Sequence, residues 1–364
     1  MDRAAVRIAL TGLAVHLVLV GAFLVRFDAN PAWFVHFGRE GSVLPVARRA
    51  LGADLLVPHT DGHDGQAFWL LARDPLLVSA KDARRYLDRP AYRAQRVLYP
   101  ALAAPWRFAG ERALLWGLLA TNLVTVAAGG YAAALLARDL GAPARAGLAF
   151  ALNPAVLAGV LLDTSDTLML ALLVMALLYL VRRRWLPAGI AAAAACLAKE
   201  QALLAVAAVT VLGQGLPRRV RVALAAAAFG AVGAWALYER WRLGWPPSQV
   251  QEFTWPVWGY VDAYLRGWRH FNNWADTVVA AALWPLAWVT VRRWRRTRSL
   301  AASSALPYAL YVPFLSAQVV DLTVNALRAV GPLLTLVAID LYARTDDRSA
   351  CRATAPGPQL RHLA

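Results

Sequence analysis

The densest concentration of reactive side chains is the run His-Thr-Asp-Gly-His-Asp-Gly-Gln, residues 59–66, with two imidazoles, the carboxylates Asp61 and Asp64, and the amide of Gln66. A carboxylate at the mouth of a cavity can take the proton of an acceptor hydroxyl, which is general-base catalysis. Gly62 and Gly65 allow a tight turn and a close approach of backbone to ligand. The same residues also read as an Asp-Gly turn. His59, Asp61, His63 and Asp64 would suit a divalent metal if the fold made alternating loop positions converge, so a metal is allowed and no cofactor is required. Next comes Arg-Pro-Ala-Tyr-Arg-Ala-Gln-Arg-Val-Leu-Tyr-Pro, ending at Tyr99 and Pro100, where Arg93 and Arg96 share a face if the segment is helical. Paired guanidiniums suit a phosphate or pyrophosphate. Their alternatives are anionic lipid headgroups or a salt bridge to Asp88. Asp74 is either such a partner or a second active-site carboxylate.

Charges at the ends of apolar stretches form a further class. Asp163 and Asp166 lie three apart, Lys199 and Glu200 are adjacent, and Asp321, Asn325 and Arg328 are spaced as a helical stripe. Ionisable groups at membrane depth usually face a bundle interior or cavity, because a charge at the centre costs about 2.5–3.5 kcal/mol on insertion scales. Near the surface the penalty shrinks, and these would be interfacial residues.

The elements that must position these groups are apolar. Of 364 residues, 59% are hydrophobic, and the mean hydropathy is +0.46. That is well beyond a soluble domain. The formal charge of +16 sits in clusters between apolar runs, unlike the solvated basic face of a nucleic-acid binder, so nucleic acid is excluded as a partner. Lys81 and Lys199 are the only lysines, a bias that fits a GC-rich bacterial coding sequence and hence a plasma membrane. Cys196 and Cys351 offer neither a disulfide nor a metal site.

Punctuation by charge, Pro and Gly divides the chain into ten expected spans, near 6–27, 112–137, 146–162, 166–181, 186–199, 201–215, 222–241, 276–291, 300–319 and 329–343. The pairs 146–181 and 186–215 also read as broken or re-entrant helices. The fold class is therefore an all-α polytopic bundle over 1–343 with a cytoplasmic tail, 344–364. The first run has the charge and length of a signal peptide but no small-residue cleavage site after it, so it reads as a retained helix. Arg clusters at 3–7, 138–145, 182–184, 218–221, 292–298 and 344 fall on one side, which places both termini in the cytoplasm. The opposite, outer side then carries a large loop, 28–111, expected to hold interfacial helices with Trp69 and Trp106 at headgroup depth. It also carries a Trp-rich loop, 242–275, which is either an aromatic belt or a sugar- or lipid-binding wall. The Ala191–Ala195 tract reads as a helix-packing stripe.

On these motifs ("DGHDGQAFWLLARDP", "LDRPAYRAQRVLYP", "NPAVLAGVLLDTSDTLMLALLVMALLYLVRRRW", "LAKEQALL" and "NALRAVGP") the chain resembles the GT-C membrane glycosyltransferases that use polyprenyl-phosphate sugars. It is most similar to bacterial proteins of the GPI-mannosyltransferase-like branch. The resemblance implies hexosyl transfer, with mannose one candidate, to a glycan, lipid or protein acceptor, with membrane lipids as surroundings and inversion at the sugar. It implies an acidic base in the first outer loop. Asp64 is the better match, and Asp61 stays open because His63 and Ala67-Phe68 depart from the aromatic pattern of relatives. Arg328 would meet the donor phosphate, with Arg93, Arg96 and Lys199 supporting it. A transporter or lipid flippase is the main rival, although no related halves are visible. A non-enzymatic assembly partner is a third.

Overall fold

The computed structural model describes residues 2–57, 60, 62–244, 253–267 and 274–343. These residues are helical with no strand; the one extended pairing is an isolated bridge between Phe253 and Leu315. Four helices are long and apolar enough to cross a membrane: Arg3–Arg26, Glu111–Asp139, Arg218–Leu243 and Trp274–Thr297. Two further candidates are bent pairs, Ala144–Ala151 with Pro154–Leu161 (44°) and Thr323–Ala329 with Gly331–Tyr342 (55°). Four shorter apolar helices accompany them: Asp166–Val181, Trp185–Ala198, Ala202–Leu212 and a Leu300–Phe314 stretch. Four to six candidate spans in an all-helical chain are compatible with a multi-pass membrane protein.

Burial separates an inner from an outer set. Only 22%, 17% and 22% of the apolar windows of Arg3–Arg26, Arg218–Leu243 and Trp274–Thr297 are covered by protein. Those helices leave most of their apolar surface uncovered by protein. Asp166–Val181 is apolar all round and buried on nearly every side, as a central helix must be. It packs against Glu111–Asp139 and Trp185–Ala198. Small residues permit the close approaches: a Cβ on Gly129 would meet the Phe150 ring at 2.2 Å, and one on Gly147 would meet the Ala134 backbone at 2.5 Å. In Trp185–Ala198 the buried Ala188, Ala191, Ala192 and Ala195 form the small-residue face expected there. Cys196 is buried among them and free.

The two bent pairs interlock, and this positions the site. Proline opens the second half of each pair, at Pro154 and Pro332, where the missing N–H is harmless and the preceding helix must end. Asn153 Oδ1 accepts from the Ala155 N–H at 2.8 Å and so caps its own half. Its Nδ2 reaches the other break, donating to Gly331 O at 2.7 Å and Thr335 Oγ1 at 2.8 Å. Any side chain at Gly331 would collide with Ala155, 2.6 Å from the Cβ position.

The 28–111 loop holds short helices: Ala32–Val35, Leu44–Leu51, Asp64–Arg73, Lys81–Tyr86, Pro90–Ala94 and Leu98–Ala103. Two expectations for this loop need correction. Trp69 is wholly buried and packs edge-on against Phe37, 5.3 Å between centroids, so it is a core residue and not a headgroup anchor. Asp74 is a turn residue, because its carboxylate accepts from the backbone N–H groups of Val78, Ser79 and Ala80 at 2.7, 2.9 and 3.0 Å. That use engages both carboxylate oxygens with the backbone. Trp106 is half exposed, over Gly117.

Candidate functional site

Asp64 opens the helix Asp64–Arg73, where the free N–H groups of the first turn favour a negative side chain. Gly65 sets the position of this helix. A Cβ there would stand 2.7 Å from both the Val35 and Leu162 carbonyl oxygens, so only glycine lets the helix start wedge between those two backbones. The His63 N–H donates to His36 O at 3.0 Å and holds the approach. Asp64 is thereby pressed against the turn that carries Asp163 and Asp166.

Around Asp64 gather three arginines from distant parts of the chain. Arg328 Nη2 donates to Asp64 Oδ2 at 2.6 Å, while its Nε donates to Asp166 Oδ2 at 2.8 Å. Arg93 Nη1 donates to Asp64 Oδ1, and Arg96 Nη1 lies 3.8 Å from Asp64 Oδ2. Each arginine also holds a second carboxylate. Arg93 pairs with Asp88 at 3.1 Å, and Arg96 forks onto Glu200 at 2.6 and 3.0 Å. Lys199 Nζ donates to the free oxygen of Asp166 at 2.6 Å. The cluster therefore has four carboxylates (Asp64, Asp88, Asp166, Glu200) and four cations (Arg93, Arg96, Lys199, Arg328), and its formal charge balances. Arg96, Lys199, Asp166 and Arg328 are buried, and buried charges persist only when paired in this way.

The electrostatics follow. Burial alone would raise the Asp64 carboxyl, but Arg328 and then Arg93 outweigh it and hold it well below the usual carboxylate range. His63 beside it goes the other way for a base: burial, reinforced by Arg328, lowers it to about 4, so the imidazole is neutral at physiological pH. Burial would raise Asp88, but the Arg93 hydrogen bond and charge lower it.

The remaining candidates divide. Asp163, with a positive φ of 45°, is buried beside the cluster but outside its ion pairs. It accepts from the Tyr99 hydroxyl at 3.4 Å, and Tyr99 receives Asn122 Nδ2 at 2.8 Å. Tyr99 and Asp163 thus brace the turn. Asp321 precedes the helix Thr323–Ala329, and Asn325 Nδ2 reaches only Gln318 O at 3.5 Å, so the helical stripe is broken and Arg328 alone joins the cluster. His59 and Asp61 lie outside the described residues. Among the described residues no group of three His, Cys, Asp or Glu side chains is placed to hold a metal ion. Sequence reasoning missed Tyr92, whose hydroxyl meets Arg96 at 2.7 Å, and Thr164, which donates to Asp166 at 2.8 Å. Tyr92 stands four residues before Arg96, a spacing that could have signalled the contact.

Two cavities are candidates for a ligand. One of about 300 Å³ adjoins Asp64 and is lined by His63, Gln66, Asp88 and Arg93 among others. The other, about 710 Å³, is a cleft walled by Phe253, Trp255, Trp258, Asp262, Arg266 and Gln318. Trp255, Trp258 and Trp274 are exposed, as either reading of the Trp-rich loop requires; Trp245 and Trp268 lie outside the described residues. Of the two, the smaller cavity is the one whose lining includes members of the ion-pair cluster, Asp88 and Arg93. Compared with protein families, characterised proteins and solved structures, the chain matches none.

Proposed function

We propose that this protein is an integral membrane glycosyltransferase that moves a hexosyl group from a polyprenyl-phosphate donor to an acceptor hydroxyl on the outer face of the plasma membrane, with inversion. The observation that carries the reading is the convergence of Asp64 with Arg93, Arg96 and Arg328, which joins a base to a phosphate-binding set in one place. In the reaction the acceptor oxygen attacks the sugar C1 and its proton passes to the Asp64 carboxylate. The C1–O bond to phosphate breaks, and its electron pair leaves with the lipid phosphate. Arg328, with Arg93, Arg96 and Lys199 around it, stabilises that growing charge, the contribution that is usually largest.

The balanced charge adds a condition. A carboxylate clasped by guanidiniums is a weak base, and a phosphate finds no unpaired cation in the cluster. Donor binding must exchange phosphate for Asp64 on Arg328 and Arg93, and the same exchange frees Asp64 and raises its basicity. A ten-span topology with both termini cytoplasmic belongs to this reading; it requires the four shorter apolar helices to cross beside the six candidates.

A second reading, a transporter or flippase, draws on the two interlocked bent pairs, since transporters commonly bind cargo at broken helices. Incubation of purified protein with radiolabelled polyprenyl-phosphate sugars and membrane-derived acceptors separates the two. Label transferred by wild type and lost in Asp64→Asn is the expected result. No transfer from any donor by folded protein moves the assignment to transport.

A further inference from the structure

The 300 Å³ cavity beside Asp64 has features that the donor phosphate does not need. Gln66 projects into it from the first turn after Asp64, and two glycines make room: a Cβ on Gly62 would lie 1.9 Å from Gln66 Nε2, and one on Gly41 would lie 2.6 Å from Oε1. The Gly38 N–H donates to Gln66 Oε1 at 3.4 Å, which sets the orientation of the amide. The Nε2 donors have no partner among the described residues. His63 lines the same wall, with its partnerless Nδ1 closed off from the cavity. The Glu40 carboxylate at the rim makes no ion pair among the described residues, and Asp88 faces the same space while bound to Arg93.

A free amide donor beside the Glu40 carboxylate matches the hydroxyls of a sugar, each of which both donates and accepts. Two carboxylates against one arginine disfavour an anion. The volume, at the lower end of small-molecule sites, suits one ring and not an extended chain. Arg93 lines the cavity and donates to Asp64, so a ring seated here is one side chain away from the base.

Resting on the proposed transferase reading, we infer that this cavity is the acceptor subsite and that the acceptor is an uncharged saccharide, held by Gln66 and Glu40 with one hydroxyl turned to Asp64. Saturation-transfer NMR on the purified protein tests this with methyl α-mannopyranoside and methyl α-glucopyranoside as acceptor probes, methyl glucuronide as an anionic control, and geranyl phosphate as the donor-side probe. A neutral pyranoside should bind wild type and the glucuronide more weakly. Gln66→Met keeps the length of the side chain and removes the donors without adding a charge. Gly62→Ala pushes the amide from the cavity, at little cost to the backbone because the clash is with a flexible side-chain end. Either should weaken pyranoside binding about tenfold, the loss of one buried hydrogen bond, with geranyl phosphate affinity held within about twofold. Unchanged pyranoside affinity in both variants overturns the inference. So does wild type that binds geranyl phosphate but no pyranoside, which leaves the transferase reading standing; binding of neither probe removes both.

Discussion

Asp64→Asn should separate phosphate binding from turnover in opposite directions. The substitution removes one negative charge from a cluster of four carboxylates and four cations, leaving an excess of one positive charge. It does not strand the arginines, because Arg93 keeps Asp88 at 3.1 Å, Arg96 keeps Glu200 at 2.6 Å and Arg328 keeps Asp166 at 2.8 Å. The fold should therefore lose only about 1–3 kcal/mol, the worth of one charged hydrogen-bond set and not of a broken buried pair. An incoming phosphate no longer has to displace a carboxylate. The gain of about 1.5–3 kcal/mol corresponds to about ten- to hundredfold tighter binding of geranyl phosphate, read by titration calorimetry. Transfer should fall by about 10²–10⁴, the range of a lost general base. Weaker phosphate binding in a folded Asp64→Asn protein would refute the exchange of phosphate for carboxylate, and near-normal turnover would refute Asp64 as the base.

Gly65→Ala places a Cβ 2.7 Å from two backbone oxygens that cannot swing aside, so the start of Asp64–Arg73 must shift. Thermal unfolding should report about 1–3 kcal/mol of destabilisation, and transfer should drop about 10²-fold with Asp64 still present, since a small misplacement of a reacting group is enough. For His63, the folded value of about 4 lies below the ordinary 6.5, so the unfolded chain takes up the proton first as pH falls. Native stability should decline as pH drops from about 6.5 toward 4; His63→Gln should flatten that decline in pH-dependent melting, and wild-type transfer should show no imidazole step between about pH 5 and 8.

Charges beside apolar runs stand out in the sequence, and Asp64, Arg93, Arg96, Asp166, Lys199, Glu200 and Arg328 are legible there one by one. Their convergence is not, because it depends on two helix breaks. The Pro154 and Pro332 signals are visible, but the bond from Asn153 to Gly331 across 178 residues is not. Local chemistry also misleads at single positions. Asp74 looks like a second carboxylate until the backbone N–H groups of residues 78–80 are seen to use it, and Trp69 looks interfacial until Phe37 covers it. Composition cannot separate an apolar helix left uncovered on its outer side from Asp166–Val181, enclosed by protein, since both read as continuous apolar sequence. The fold class was legible for that reason, and the placement of individual helices was not.

Arg328 stands 264 residues after Asp64 along the chain, yet it bridges Asp64 and Asp166. A ribosome delivers both acids long before it delivers their shared cation. Once Glu200 has been made the nascent cluster holds four acids against three bases, and until Arg328 follows it lacks the bridge between Asp64 and Asp166. Closure of the cluster is therefore among the late events of biogenesis.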